Sequence, residues 1–415
     1  MANVTFPQLI QHACGIDVHS KVVVATINGD GLQRETRTFN TFTSSLTELK
    51  EWLLFNEVTH VAMESTGVYW KPVYKILEGS IPNVWIVNAR HIKNVPGHKT
   101  DKMDSEWICK LLQAGLLKPS YIPPKEQRQL RDLTRYRNKL IQQIASEKNR
   151  MMRVLEDCNI KLSSVVSNTS GATATSLINM ICDGKVLTLE DVKSVYHGQL
   201  SASPEELLEA CTVFVEEHHI YLLQMIHKDI AKTQELVDEL SERIKSILSK
   251  YENAIELLKE IPGFSTKVVE DLVAEIVLIC PTSHPRSIWL PGQVFVPATM
   301  RVLAKKSGRI THGNKQVKAV ITEAAWAATR TKKTFFSERY HRIAARRGKK
   351  RALIAVEHSQ LISVYLILST GARYHELGAQ YVQAKIERKR KNYLKAELQK
   401  LGFEVSLTKM QASAN

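Results

Sequence analysis

The feature that most constrains this chain is a β-branched tract in its first ninety residues, cut at short intervals by turn residues. Residues 12–19 and 21–28 read as two strands, and Gly29-Asp30-Gly31 turns the chain into a third from Glu35 to Asn40. Thr43-Ser44-Ser45 is placed to cap a helix carrying Leu46, Leu49, Trp52 and Leu53. His60 to Met63 follows as a short buried strand, then a helix from about Trp70 to Leu77, a strand at Val84–Val87, and a helix from Asp101 to Leu116. A three-stranded meander followed by alternating strands and helices predicts a mixed sheet flanked by helices.

Acids stand at the ends of these elements. Asp17 closes Gly15-Ile16-Asp17, and Glu64 closes the run Ala62-Met63-Glu64 before Ser65-Thr66-Gly67. Asp101 and Asp104, in Lys99-Thr100-Asp101-Lys102-Met103-Asp104, are three apart and share one face of a helix's first turn. Acids there also oppose the positive end of the helix dipole, so an ordinary N-terminal charge pattern accounts for an isolated pair. Three separate pieces of backbone that each deliver a carboxylate predict instead an all-oxygen site. Hard divalent cations such as Mg²⁺ prefer such a site, and two of them about 4 Å apart support phosphodiester cleavage. Asp17 alone also fits the phosphate-loop acid of an actin-like ATPase, but no further Gly-rich phosphate loop follows. His19 reads as a solvent-facing strand residue beside Asp17, and Tyr69 and Trp70 as either base-stacking or core.

Pro123-Pro124 ends this unit. A long basic helix runs from about Lys125 to Asp157, with Leu130, Leu133, Leu140, Ile144, Met151 and Leu155 inward and Arg128, Arg131, Arg135, Arg137, Arg150 and Arg153 outside that stripe. Residues 163–205 are rich in Ser and Thr and read as a small segment or linker. From Ile226, the positions Ile230, Thr233, Val237, Leu240, Ile244, Ile247 and Tyr251 alternate by four and three. That is a heptad seam, which predicts coiled-coil pairing within or between chains. A last helical unit begins near Ile261-Pro262-Gly263-Phe264, with helices at about 317–331, 334–347 and 349–370 and with Trp326 and Phe335-Phe336 as core.

The formal charge is +15 and the pI near 9.4, which points to a polyanionic partner. The excess is concentrated: residues 332–351 hold nine Lys or Arg against one Glu, and residues 383–400 hold seven against two. Six cysteines lie scattered, which argues against a zinc site or disulfide framework and fits a reducing cytoplasm. With no signal sequence and no apolar run near 18 residues, export and membrane spanning are not expected.

Several motifs together resemble a known family. They are Gly-Ile-Asp-Val-His-Ser (15–20), Met-Glu-Ser-Thr-Gly-Val-Tyr-Trp (63–70), Asn88-Ala89-Arg90 and Lys-Thr-Asp-Lys-Met-Asp (99–104). The series continues with Ile261-Pro262-Gly263, Ser307-Gly308-Arg309-Ile310, Gly313-Asn314, Glu323-Ala324-Ala325, Tyr340, Arg346-Arg347-Gly348-Lys349-Lys350 and Gly371-Ala372-Arg373-Tyr374. Together they resemble the DEDD transposases of bridge-RNA-guided insertion sequences, the group that includes Piv-type pilin invertases. The resemblance implies an α/β RuvC-like, ribonuclease-H-fold domain over 1–160, with Asp17, Glu64, Asp101 and Asp104 as catalytic Mg²⁺ ligands. It implies a linker and coiled coil over 161–260, a small mainly α transposase domain over 261–379, and a basic tail over 380–415. Its implied partners are DNA, a structured guide RNA, and further copies of the chain in a dimer or tetramer. Arg128, Arg131, Arg135, Arg346, Arg347, Lys349 and Lys350 are the candidate nucleic-acid contacts, reading backbone while base pairing reads sequence. The implied activity is DNA strand cleavage and exchange in the cytoplasm.

One segment departs from the family. Its nucleophilic serine lies in a stretch resembling Pro-Gly-Asn-Asn-Glu-Ser-Ala-Gly-Lys, where this chain has Pro297-Ala298-Thr299-Met300-Arg301-Val302-Leu303-Ala304-Lys305. No serine lies between Ser287 and Ser307. Val296 to Lys305 can be encoded GTC CCG GCA ACA ATG AGA GTG CTG GCA AAA after a codon ending in T. Read one nucleotide earlier, that string gives Cys-Pro-Gly-Asn-Asn-Glu-Ser-Ala-Gly-Lys. A pair of compensating frameshifts, near 277 and 305, is therefore expected in the gene, with the lost serine across the codons of Arg301 and Val302. Such a chain keeps its acids but lacks the family's attacking hydroxyl, and 278–304 is expected to be loop-like. A metal nuclease without serine chemistry and a non-catalytic nucleic-acid-binding remnant are the alternatives.

Overall fold

The computed structural model describes residues 8–65, 67–88, 104–169, 171–198, 200–212, 216–276, 300–302, 305–307 and 314–406, with 300–302 and 305–307 described by backbone alone. Asp101 and most of 278–304 lie outside them. The chain divides into two compact units, residues 1–123 and 124–415.

The first unit is a six-stranded mixed sheet in the order β3-β2-β1-β4-β5-β6. Its strands are β1 (His12–Val18), β2 (Val22–Gly29), β3 (Leu32–Asn40), β4 (His60–Glu64), β5 (Asn83–Val87) and β6 (Pro119–Ser120). The first three run antiparallel, β1, β4 and β5 run parallel, and β6 returns antiparallel on the edge. Strand alternation sorts the side chains onto two faces. Cys14, Ile16, Val61, Met63 and Ile86 pack one face against α1 (Thr43–Phe55) and α2 (Trp70–Leu77), through Leu46, Leu49, Leu53, Val73 and Leu77. Ala13, Ala62 and Val87 pack the other against α3 (Asp104–Gln113), through Ile108, Cys109, Leu111 and Leu112. The expected cap shifts by one: Phe42 is the N-cap of α1 with no side-chain hydrogen bond, while Ser45 Oγ accepts from the Asn40 amide at 3.1 Å.

Among its described residues the second unit is helical apart from the short hairpin of β7 (Met300–Val302) and β8 (Lys305–Ser307). Helix α4 (Lys125–Asp157) lies antiparallel to a long helix over Glu217–Leu248, with Leu140 and Ile144 against Val237 at the middle of the pair. The residues read as a linker fold instead into four short helices, α5 (Leu162–Val165), α6 (Ala172–Cys182), α7 (Leu189–Val195) and α8 (Pro204–Cys211). Leu177, Ile181, Val192 and Leu207 form a small core with Met151 and Leu155 of α4 and with Leu223 and Ile226 of the Glu217–Leu248 helix, here α9. Capping boxes at Thr188–Asp191 and Ser203–Glu206 start α7 and α8. The heptad positions Ile226, Thr233, Val237 and Ile244 of α9 are buried within the chain.

A larger core gathers α10 (Glu252–Lys259), α11 (Thr266–Glu275), α12 (Lys315–Arg330), α13 (Phe335–Arg347) and α14 (Lys349–Thr370). Gly263 is required there: a Cβ would stand 2.2 Å from the Ala324 carbonyl oxygen, and its φ is +88°. Phe336 is in the core as expected, but Trp326 is 41% exposed, against the sequence reading. α14 is, by length and composition, apolar enough to cross a membrane, a feature the strict run-length reading missed. It carries Glu357 and His358 mid-helix, and Ala352, Val356, Leu361 and Val364 are buried in the core. A final helix, α15 (Gly378–Lys400), buries only Val382.

Candidate functional site

The acids are placed by strand register. Gly15 pairs with Ala62 and Ile16 with Met63 on the parallel strands β1 and β4. Asp17 and Glu64 are the next residue on each, so they leave the sheet at the same level on strands about 4.8 Å apart. Both fall on the alternation of Gly15 and Ala62, the face covered by α3.

Helix α3 is brought down onto that face by Gly15. A Cβ there would lie 2.1 Å from the Ser105 carbonyl oxygen and 2.3 Å from the Cys109 amide nitrogen, so only glycine admits the helix backbone. The Ser105 hydroxyl and that of Thr26, the residue paired with Gly15 across β2, are 2.8 Å apart. Asp104, immediately before Ser105, therefore opens α3 above the strand that carries Asp17 two residues beyond Gly15. The helix dipole favours a carboxylate at that position.

His19 faces solvent as its reading has it, 58% exposed, and also touches Asp17: its Nε2 is 2.8 Å from Asp17 Oδ2, with the Asp17 side chain 16% exposed. The spacing Asp-x-His at a strand end was the signal for it. Glu106 faces outward from the first turn of α3 to Arg34, at 3.2 Å. Two thiols nearby are not nucleophiles. Burial pushes Cys109 up to about 12 and Cys14 well above the usual thiol range, so both stay protonated. Among the described residues no three His, Cys, Asp or Glu side chains are already gathered to hold an ion. Of the four acids, Asp17 and Glu64 stand at matching ends of β1 and β4, Asp104 opens the helix that packs on that face, and Asp101 lies outside the described residues.

The basic candidates fall into two groups. Arg131 and Arg135 are engaged inside the second unit: Arg135 donates to both Glu275 carboxylate oxygens at 2.7 and 3.0 Å, and Arg131 Nε donates to the Ala274 carbonyl at 3.0 Å. Glu275 also accepts from Asn314 Nδ2 at 2.7 Å, so its carboxylate ties α4, α11 and the start of α12 together. Deeper, Arg137 is 3% exposed and donates to Glu270 at 2.6 Å and Asp271 at 2.9 Å. Arg128 is half-buried and also has a partner. Arg346, Arg347, Lys349 and Lys350, by contrast, are exposed around the α13–α14 turn.

The first unit is thus a mixed α/β sheet whose parallel strands end in carboxylates, covered on that face by a helix that opens with another. Residues 14–160 match the family model described as a transposase, the DEDD type of the IS110 insertion sequences. No curated protein matches the chain. Among solved structures, T. thermophilus RuvC in complex with Holliday junction substrate is similar at 13% identity. The likeness covers 26% of this chain and 99% of that one, with a TM-score of 0.20.

Proposed function

We propose that the chain is an insertion-sequence transposase that cleaves and exchanges DNA strands with Mg²⁺ at Asp17, Glu64, Asp101 and Asp104, guided by a structured RNA. The observation that carries it is the register that sets Asp17 and Glu64 level on adjacent parallel strands, beneath the helix opened by Asp104. The donor set fits the ion: every proposed ligand is a carboxylate, the hard oxygen donor that Mg²⁺ takes. When bound, the metal supplies Lewis acidity and an activated oxygen for phosphodiester cleavage.

The protein's own part is positional. Gly15 lets α3 close on the sheet, Thr26 and Ser105 pin its first turn, and His19 holds one oxygen of Asp17 so that the other is presented. The exposed cations at Arg346, Arg347, Lys349 and Lys350 would contact nucleic-acid backbone. Guidance by RNA rests on the motif resemblance, and the heptad seam of α9 is taken up by α4 of the same chain.

A second reading, a metal nuclease without serine chemistry, is favoured by Val302 standing where the family's serine is expected. Ser307, opposite Met300 in the β7–β8 hairpin, is the nearest described hydroxyl residue along the chain. The test is strand exchange with the element's flanking RNA, beside a version with the serine segment restored. Exchange by the restored version alone supports the transposase reading with a damaged second domain. Cleavage of branched DNA in Mg²⁺ by both, with exchange by neither, supports the nuclease. No Mg²⁺-dependent cleavage by either refutes both.

A further inference from the structure

The helix pair α13–α14 holds a group of cations that the acid site does not use. Arg339 and Arg342 lie three residues apart on α13, hence on one face, and Arg346 continues that face four residues on. Arg339 and Arg342 are half-buried, and the Nε of each is a buried donor with no hydrogen-bond partner. A guanidinium nitrogen taken out of water is costly unless it is hydrogen-bonded or paired. Among the described residues neither has one. The nearest favourable contact for Arg339 is the Phe335 ring, 5.8 Å from its guanidinium carbon.

The neighbours sharpen the conflict. Burial, and after it the charge of Arg342, pushes the Arg339 pKa down, and burial with the charge of Arg339 pushes His358, on the adjoining helix, below its usual value. Two like charges and an imidazole thus share a partly desolvated place and raise one another's cost. A buried donor left without a partner is costly, more so when charged. An arrangement of this kind is relieved by a multidentate anion. Guanidinium forks match phosphate oxygens, and neutral His358 can add one N–H.

We infer that Arg339, Arg342 and His358 form a binding site for a backbone phosphate of nucleic acid, the inward continuation of the exposed cations at Arg346, Arg347, Lys349 and Lys350. This rests on the reading of the chain as a nucleic-acid enzyme but needs neither the metal nor the acids. The site anchors a strand against the α13–α14 pair without reading its sequence.

The experiment measures binding of a short labelled DNA duplex of scrambled sequence by the full chain, in chelator, across a salt series. Loss of one phosphate contact lowers the slope of log affinity against log salt by about 0.9. Arg339→Gln with Arg342→Gln, which removes the contact, is expected to lower it by about that amount, and Arg342→Gln alone by part of it. Arg373→Gln, which removes an exposed cation already paired with Glu260 at 3.0 Å, leaves the slope unchanged. Without nucleic acid, Arg342→Gln melts at a higher temperature than the parent, because a like-charge conflict is gone. A purely structural arginine gives the reverse. An unchanged slope in both variants overturns the proposal, as does a lower melting temperature for free Arg342→Gln. Inorganic phosphate that competes as well as the duplex, phosphate for phosphate, overturns its assignment to a polynucleotide. Because no cleavage is read, failure of the acid site leaves this result untouched.

Discussion

Gly15→Ala tests how the acid site is built. The new Cβ would stand 2.1 Å from the Ser105 carbonyl oxygen and 2.3 Å from the Cys109 amide nitrogen, both backbone atoms of α3 that no rotamer change can move. Ordinary carbon contacts lie at about 3.5 Å, so α3 must lift from β1 by roughly 1 Å. A gap of that size forfeits up to about half of each dispersion contact made by Ile108, Leu111 and Leu112, which are at most 1% exposed. The cost is about 3 kcal/mol, the upper end for overpacking, and roughly 10 °C in the melting of the first unit. Asp104 rides on the same helix, so the divalent-cation affinity falls as well. Gly31→Ala is the comparison: its φ of +71° costs about 1 kcal/mol, but nothing lies within 4 Å of the added carbon. It lowers the melting temperature and leaves cation affinity alone. If Gly15→Ala melts within 2 °C of the parent and binds Mn²⁺ equally well, the account of α3 seated on β1 is wrong.

Arg137→Met leaves Glu270 without its arginine and Asp271 with only Lys267 and Asn138. Urea unfolding is expected to show a loss of about 3–5 kcal/mol, and a loss under 1 kcal/mol contradicts the buried network. Glu357 is 2% exposed, and burial raises its pKa above the ordinary 4.5 despite the Thr322 hydroxyl donating to it at 2.9 Å. The folded state therefore holds this proton more tightly than the unfolded chain. The resulting stability is complete below pH 4.5 and is lost as pH climbs through the raised value. Glu357→Gln flattens that decline; an unaltered pH profile argues against it. Cys14 and Cys109 stay unalkylated by iodoacetamide at pH 8 until the first unit unfolds, with Cys109 pushed up to about 12. Labelling of either in the folded protein, followed by mass spectrometry, contradicts their burial.

Where apolar periodicity is strong and local, sequence and structure agree closely. The helices over Trp70–Leu77, Lys125–Asp157 and Lys349–Thr370 lie where their patterns put them. The same holds for β1, β2 and β4, and the acids at strand ends follow from those boundaries. Three things were hidden, each for a physical reason. In residues 163–205, frequent Ser and Thr mask helices only one to three turns long, whose stability comes from packing Leu177, Ile181 and Leu207 against the ends of α4 and α9. The arginines of α4 read as a cationic face because their partners, Glu270, Asp271 and Glu275, lie more than 130 residues away in sequence. Helix α3 meets the sheet without any side chain at Gly15, so no hydrophobic pattern announces the contact that places Asp104.

Manganese binding followed by electron paramagnetic resonance tests the central claim most directly, with the parent chain beside Asp17→Asn, Glu64→Gln and Asp104→Asn. One shared site predicts that each substitution alone lowers affinity at least tenfold while melting temperatures stay within a few degrees. Equal Mn²⁺ affinity in the parent and all three variants contradicts it.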